Sequence, residues 1–328
     1  MERIGPDVLA LDCNVEIERI AERLRSLIVT DLRRRGAVIA VSGGVDSSVC
    51  AALACRALGP ERVFALLLPE SESSAGSHTL GLEVVHQLGM PYAVENIGPA
   101  LEAIGCYRHR DEAIRRIFPD FGDGWKSKIV ISAMPGGLSF FRLVVQNLEG
   151  ETKTQRLPAK EYLQIVAATS FKQRIRKTVE YFHADRLNYA VVGTPNRLEY
   201  DQGFFVKNGD GSADVKPIAH LYKTQVYALA QHLGLPAAVC SARPTTDTYT
   251  LSQGQDEFYF ALPYEQMDLA LWAHNHRMPS DTLATAIGIA PATAARVYED
   301  IESKRRATAY LHARPLLIDV VSEAGSHP

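Results

Sequence analysis

Paired cysteines are missing from this sequence. Its five cysteines, Cys13, Cys50, Cys55, Cys106 and Cys240, form no C-x-x-C pair, which argues against a structural zinc site and against a disulfide scaffold. No apolar run approaches the roughly 18 residues of a membrane span, and Met1 to Asp7 contains no apolar h-region, so a cytoplasmic protein is expected. Charge of one sign is scarce too. Against 35 Lys and Arg stand 38 Asp and Glu, a formal net charge of −3, so no general basic field draws nucleic acid. Internal repeats, low-complexity tracts and a convincing Ser/His/Asp or Cys/His set are also lacking. What is abundant is apolar residue, 46% of 328, enough for the core of one large or two modest domains.

The apolar residues fall into an alternating rhythm. Ile17, Ile20, Leu24, Leu27, Ile28 and Leu32 recur at helical spacing over 15–35, and Gly36 stops that helix. Strand-like runs follow at 37–41, 63–68 and 91–94, with helix-like stretches at 46–58 and 78–88 between them. The rhythm returns with a helix over 159–183 and a buried strand over 189–193. Strands apolar throughout, alternating with helices, predict a doubly wound parallel sheet covered on both faces, an α/β fold. Between the halves lie β-rich runs at 128–134 and 138–146, separated by Pro135-Gly136-Gly137, a hairpin signal. Residues 150–154 read as polar turn formers. We take 120–165 as an inserted β-hairpin in a single domain. A helix over 220–234 and helical stretches at 263–275, 279–287 and 291–312 make 263–328 a helical C-terminal extension. Residues 279–312 have the outline of a helix-turn-helix, but Lys304, Arg305 and Arg306 form an isolated basic group.

The chemistry concentrates in Val41-Ser42-Gly43-Gly44-Val45-Asp46-Ser47-Ser48. A strand turning through two glycines into a helix makes an anion cradle: the glycines reach backbone angles closed to other residues, and the helix N-terminus offers unpaired donors. Ser42, Ser47 and Ser48 add hydroxyls. Asp46 would repel phosphate unless a cation stood between them, which points to Mg²⁺. A second loop, Gly193-Thr194-Pro195-Asn196-Arg197-Leu198-Glu199, follows a buried strand and should open beside the first, because ligands of open α/β sheets bind outside the carboxyl ends of the strands.

The Ser-Gly-Gly-x-Asp-Ser string resembles the pyrophosphate loop of the ATP pyrophosphatases. Together with Gly203-Phe204-Phe205, Gly209-Asp210-Gly211 and Asp214, Lys216-Pro217-Ile218 and Lys223-Thr224-Gln225-Val226-Tyr227, it makes the chain similar to the ammonia-dependent NAD synthetases over roughly 16–118 and 166–312. That resemblance implies an adenine nucleotide alpha hydrolase-like fold and an ATP- and Mg²⁺-dependent ligase. Nicotinate adenine dinucleotide would be amidated by ammonia, with release of AMP and pyrophosphate. It places Ser42, Gly43, Gly44, Asp46, Ser47 and Ser48 on the phosphates, Asp46 and Glu199 on the metal, and Arg174, Thr194, Lys223 and Thr245 on ATP. Asp46, Lys223 and Thr245 would carry the catalysis. Lys207, Asp210, Asp214, Lys304 and Arg305 would hold the dinucleotide acid. Ammonia would be free or handed over by a separate glutaminase, and a homodimer would form through helices 159–183 and 220–234.

Plainer readings stand beside these: Glu199 as a loop glutamate, Lys223 as a solvated helix lysine of little consequence for stability, Arg174 and Arg176 as a solvated cationic face, Asp210 as a turn residue. The chain departs from the family pattern at Pro195, Leu198, Ser170 and Ser303 and over Asp256 to Leu262, which keeps open a paralogue acting on a different acid. RNA thiolation and a non-catalytic nucleotide-binding role are the further alternatives. Residues 243–257 read as a polar segment with few anchors that closes over ATP, ending at Phe258-Tyr259-Phe260.

Overall fold

A computed structural model describes residues 4–73, 75–133, 139–242, 249–251, 254, 259–260 and 262–319. Its centre is a parallel sheet of β1 (Ala37–Ala40), β2 (Val63–Leu67), β3 (Tyr92–Val94) and β7 (Ala190–Val191), in the order β3-β2-β1-β7. Side chains alternate across it. Ala37 and Ile39 of β1, with Val63, Ala65 and Leu67 of β2, face a core shared with α1 (Cys13–Arg25), α2 (Val45–Leu58) and α8 (Lys223–His232). Val38, Leu66 and Val191 face the other way, onto α4 (Gly98–Ala103), the start of α5 (Cys106–Arg115) and α6 (Ala159–Leu187). Burial on both faces is why these strands read as unbroken apolar runs. The expected doubly wound sheet is therefore present.

Several boundaries differ from expectation, each for a local reason. The first helix ends its regular part at Arg25 and widens into a π-helical stretch over Ser26–Asp31, where the Leu32 amide bonds to the Leu27 carbonyl at 2.8 Å. Helix α6 runs 29 residues, past 183 to Leu187. Helix α8 starts at Lys223, not 220: Tyr222 is its extended N-cap, and the Tyr222 amide donates to the Gln225 side chain at 2.9 Å. Helix α5 escapes a reading by apolar periodicity because its buried face, Cys106, Arg110, Ala113 and Ile114, carries a charged residue whose partner, Glu72, lies in a distant loop.

The inserted hairpin is present as β4 (Lys126–Ala133) and β5 (Ser139–Gln146), with Ile129 opposite Leu143; its Pro135-Gly136-Gly137 tip lies outside the described residues. Residues 152–154, read as turn formers, belong instead to a third antiparallel strand, β6 (Thr152–Arg156). Its residues are polar because it is an outer strand with little burial, a place where charge discourages stray pairing. Ile129, Leu143 and Val145 of this small sheet pack with Ile114 and Phe118 at the end of α5, Ile165 of α6, and Tyr249. The C-terminal helices α10 (Tyr264–Asn275), α11 (Ser280–Ile287) and α12 (Pro291–His312) close a separate core around Met267, Leu271, Leu283 and Ile301, reaching Leu198 and Tyr222.

A buried ionic knot ties the loop after β2 to α5 and α6. The Lys172 ammonium, 1% exposed, donates to Glu70 at 3.0 Å and Glu72 at 2.6 Å. Arg110 also donates to Glu72, and the Tyr107 hydroxyl to Glu70 at 2.6 Å. Glu70 stays below the usual carboxylate range: burial works to raise it, but the Lys172 charge and the Tyr107 hydroxyl outweigh that. Taking one partner out of such a cluster strands the rest. Lys172→Met should therefore lose about 3–5 kcal/mol in urea unfolding; a loss under about 1 kcal/mol would show that the two glutamates re-solvate freely.

Candidate active site

In the sheet order β3-β2-β1-β7, the chain leaves β1 toward β2 and β3 on one side, while β7 comes to lie on the other. This is a topological switch point, and the loops leaving β1 and β7 open side by side there.

The loop after β1 is shaped by tight contacts. Gly43 takes φ of 83°, and a Cβ at that position would sit 2.5 Å from the Ser77 carbonyl oxygen and 2.9 Å from the Gly81 amide. Helix α3 (Ala75–Leu88) thus presses on the turn, and only glycine meets both demands. The Ser42 and Ser47 hydroxyls lie 3.1 Å apart, and the Gly44 amide donates to the Ser42 hydroxyl at 3.3 Å. Ser47 and Ser48 both donate to the Gly44 carbonyl, at 3.0 and 2.8 Å. The first amides of α2 have no acceptor within the helix and face the mouth of the loop.

The cation that Asp46 requires is supplied by the protein. The Lys223 ammonium donates to one Asp46 carboxylate oxygen, and the Asn196 side-chain amide donates to the other at 3.1 Å. Lys223 is 2% exposed. The reading of a solvated helix lysine of little consequence for stability is therefore corrected: this side chain is buried against the Asp46 carboxylate, just past the glycine turn. Burial by itself would lower its pKa, yet the Asp46 and Glu199 carboxylates hold it above the ordinary lysine value. Asn196 caps α7 (Arg197–Gln202) by accepting the Glu199 amide at 3.2 Å, and Glu199 returns a carboxylate to the Asn196 amide at 3.2 Å. Two carboxylates thus act on one ammonium, a surplus negative charge made of hard oxygen donors. That set suits a divalent cation shared with phosphate oxygens.

Asp268 of α10 braces the lysine from behind. Its carboxylate accepts the Lys223 amide at 3.2 Å and the Thr224 amide at 2.7 Å, the first turn of α8. Burial pushes its carboxyl up to about 6 despite those amides.

The remaining nominated residues spread around this centre. Thr194 lies three residues past β7 and is half-buried; Gly193 just before it supplies the carbonyl that the Cys50 thiol reaches. Arg174 lies exposed on α6 and donates to the Lys207 carbonyl at 3.3 Å. The Lys207 ammonium in turn donates to the Tyr310 carbonyl of α12 at 2.8 Å. Asp210 accepts the Val206 amide at 2.7 Å, and burial raises its pKa, so turn closure is one of its duties. Asp214 accepts the Val191 amide at 2.7 Å and extends the sheet edge beyond β7. Lys304 donates to Asp300 at 2.6 Å and to the Tyr259 carbonyl; Arg305 grips Asp201 of α7 with two 2.7 Å bonds. Thr245 lies outside the described residues, as does most of 243–257. Asn196 and Asp268 were not singled out in the sequence. An Asn-x-x-Glu box opening a short helix was a legible signal for the first; Asp268 sits on a distant helix and gave none.

The family model described as NAD synthase matches residues 16–117 and 143–309, passing over 118–142. An NH(3)-dependent NAD(+) synthetase of Mesorhizobium japonicum is 55% identical over 96% of this chain and 100% of its own length. Among solved structures, an NMN synthetase from Francisella tularensis superposes with a TM-score of 0.65 at 20% identity, covering 95% of this chain and 100% of the other. An NH3-dependent NAD synthetase from Campylobacter jejuni gives 0.61 at 21%, covering 94% and 100%. At those identities the two structures speak for the fold alone.

Burial of the Asp46–Lys223 pair makes a direct prediction for folding without nucleotide. Lys223→Met keeps the apolar stem and leaves Asp46 without its ammonium. Unfolding free energy should fall by about 3 kcal/mol. A loss within about 0.5 kcal/mol, the range of an ordinary surface change, would return Lys223 to the solvated reading.

Proposed function

This chain belongs to the NAD synthase family, and we propose that its glycine–serine cradle drives adenylation of the nicotinate carboxylate of nicotinate adenine dinucleotide for amidation by ammonia. It is a ligase forming a C–N bond at the expense of ATP. A carboxylate oxygen bonds to the α-phosphorus and pyrophosphate leaves. Ammonia nitrogen then bonds to the acyl carbon, gives up a proton, and AMP departs with the former carboxylate oxygen.

The observation that carries this reading is the buried Lys223 ammonium set against Asp46 at the mouth of the Ser42–Ser48 loop. Two anions must meet for the first step, so fixed positive charge and preorganised amides at the leaving pyrophosphate are what the chemistry needs. Gly43, Gly44, Ser42, Ser47 and Ser48 cradle the phosphates. Lys223 supplies a point charge, and Arg174 a planar guanidinium on the same side of α6 as the Lys207 loop. Mg²⁺, when bound at Asp46 and Glu199, neutralises phosphate charge there. Thr194 and Thr245 complete the nucleotide contacts. Lys207, Asp210 and Asp214 line the side that takes the dinucleotide acid; Lys304 and Arg305 would reach it by exchanging Asp300 and Asp201 for substrate.

The thiols argue against RNA thiolation. Burial pushes Cys106 up to about 11 and raises Cys240 as well, whereas persulfide chemistry calls for an easily ionised thiol. With ATP, Mg²⁺, ammonium and the dinucleotide acid, AMP and NAD⁺ should form in equal amounts. AMP without NAD⁺ would reject the named acid and keep the reaction class. Asp46→Asn should lower kcat by about a hundredfold or more while circular dichroism still reports folded protein; parental turnover at saturating Mg²⁺ would reduce Asp46 to a helix cap.

A homodimer through α6 is part of the same reading. Leu163 and Phe182 on that helix are 63% and 61% exposed, more apolar surface than a lone helix needs to show. Light scattering at micromolar concentration should give twice the 36.1 kDa chain mass. A fully active species at the single-chain mass would exclude it.

A further inference from the structure

We propose that Lys216 is a specificity-determining residue: its ammonium receives the carboxylate of an aromatic acid and so distinguishes the acid from its amide. The proposal rests on the reading that this chain amidates nicotinate adenine dinucleotide.

Lys216 stands beside the loop that leaves β7. A Cβ on Gly193 would meet the Lys216 Cγ at 3.2 Å and its Cε at 3.6 Å, so the lysine stem runs along the start of that loop. The Gly193 carbonyl is the one that the Cys50 thiol reaches from α2, one turn beyond Asp46. The stem therefore lies next to the 42–48 loop, on the β7 side of the switch point. Its ammonium donates to the Gly211 carbonyl at 2.7 Å and lies 5.0 Å from the ring centroid of Tyr200 and 5.6 Å from that of Phe205, both within cation–π range. His312 of α12 meets both rings edge-on. Phe205 is itself pressed onto the loop that supplies the carbonyl, since a Cβ on Gly211 would sit 2.4 Å from its ring. The cation thus rests on a built aromatic seat.

What this ammonium lacks is an anion. Among the described residues no carboxylate is ion-paired with it, whereas Lys223 has Asp46 and the nearby Lys177 has Glu180 at 2.7 Å. The two site lysines accordingly shift in opposite directions. Burial and the Lys177 charge lower Lys216 below the ordinary lysine value, with Asp210 working against them; Lys223 is held above it. A half-buried charge without a counter-ion is costly until a ligand brings one. The seat also selects among anions. A carboxylate joined directly to a flat ring brings its charge to Lys216 and its ring to Tyr200 and Phe205 together, whereas a phosphate carries no ring on its charged group. Tyr200 is 37% exposed, which leaves ring surface open to such a ligand. The amide of the same ring is neutral and turns one of its two polar ends, an NH2 donor, toward a donor, so it forfeits the charge-assisted bond.

The test compares the full-length parent with Lys216→Met, which keeps the stem and removes the charge. Calorimetry reads the affinities for nicotinate adenine dinucleotide and for NAD⁺, its amide; turnover gives the KM for ATP, and a thermal scan the midpoint. Lys216→Met should weaken binding of the acid about tenfold or more, the loss expected when a charge-assisted hydrogen bond is removed. NAD⁺ affinity and the KM for ATP should stay within about twofold, and the midpoint should hold or rise, because the empty protein loses an uncompensated charge. Parental affinity for the acid, or equal weakening of acid and amide, overturns the proposal. So does a fall in midpoint that carries both affinities down with it. Should Lys216→Met fail to fold, Lys216→Gln, which can still donate to the Gly211 carbonyl, is read in its place with the same expectations. The parent separates the two levels. A parent that amidates the dinucleotide acid beside a Lys216→Met of unchanged acid affinity sinks this proposal alone, whereas a parent that neither binds nor amidates that acid removes the underlying reading and this proposal with it.

Discussion

The contact between the Lys223 ammonium and the Asp46 carboxylate is the constraint on which this site depends. It joins the first turn of α2, which follows the 42–44 glycine turn, to the first turn of α8, which is 177 residues away in sequence. A lysine buried to this degree is tolerated only because two carboxylates act on it, and the half-buried Asp46 carboxylate is tolerated because the lysine neutralises it. Asn196 closes the arrangement by bonding the same carboxylate and capping the helix that presents Glu199. The 42–48 loop, its counter-ion Lys223 and the Asp46 and Glu199 carboxylates are thus one hydrogen-bonded unit drawn from three elements.

Around that unit the fold supplies rigidity in layers. Asp268 fixes the start of α8 from the C-terminal helical core. Arg305 fixes α7 to α12 through Asp201. The Lys172 cluster fixes the loop after β2 to α5 and α6. Each is a charged tether between an element at the carboxyl edge of the sheet and one outside it. Charged tethers contribute little net stability when buried but hold one geometry over alternatives, and an adenylating site needs its charges prepositioned.

Much of this was legible in the sequence because apolar periodicity and glycine chemistry are local. Strands β1, β2 and β7, helix α2, the hairpin and the 42–48 cradle all follow from residues within a few positions of one another. What was not legible depends on distant partners. Nothing near Lys223 announces that its ammonium is buried, since its counter-ion lies in another half of the chain. Strand β6 is polar because it is an outer strand, and its neighbours decide that. Helix α5 hides because its buried face includes the charged Arg110, whose partner Glu72 lies far off in sequence. The burial of Tyr249 was missed for the same reason: a single tyrosine in a polar stretch reads as exposed until the core of the insertion is seen to receive it.

A double-mutant cycle between Asp46 and Lys223 tests the central claim most directly. Unfolding free energies of Asp46→Asn, Lys223→Met, the double variant and the parent, taken without nucleotide, give the coupling between the two charges alone. A stabilising coupling of about 2 kcal/mol or more, within the range for residues in one buried network, is the predicted result. Additive effects within about 0.5 kcal/mol would contradict the account, since the 42–48 loop and α8 would then be assembled independently of that pair.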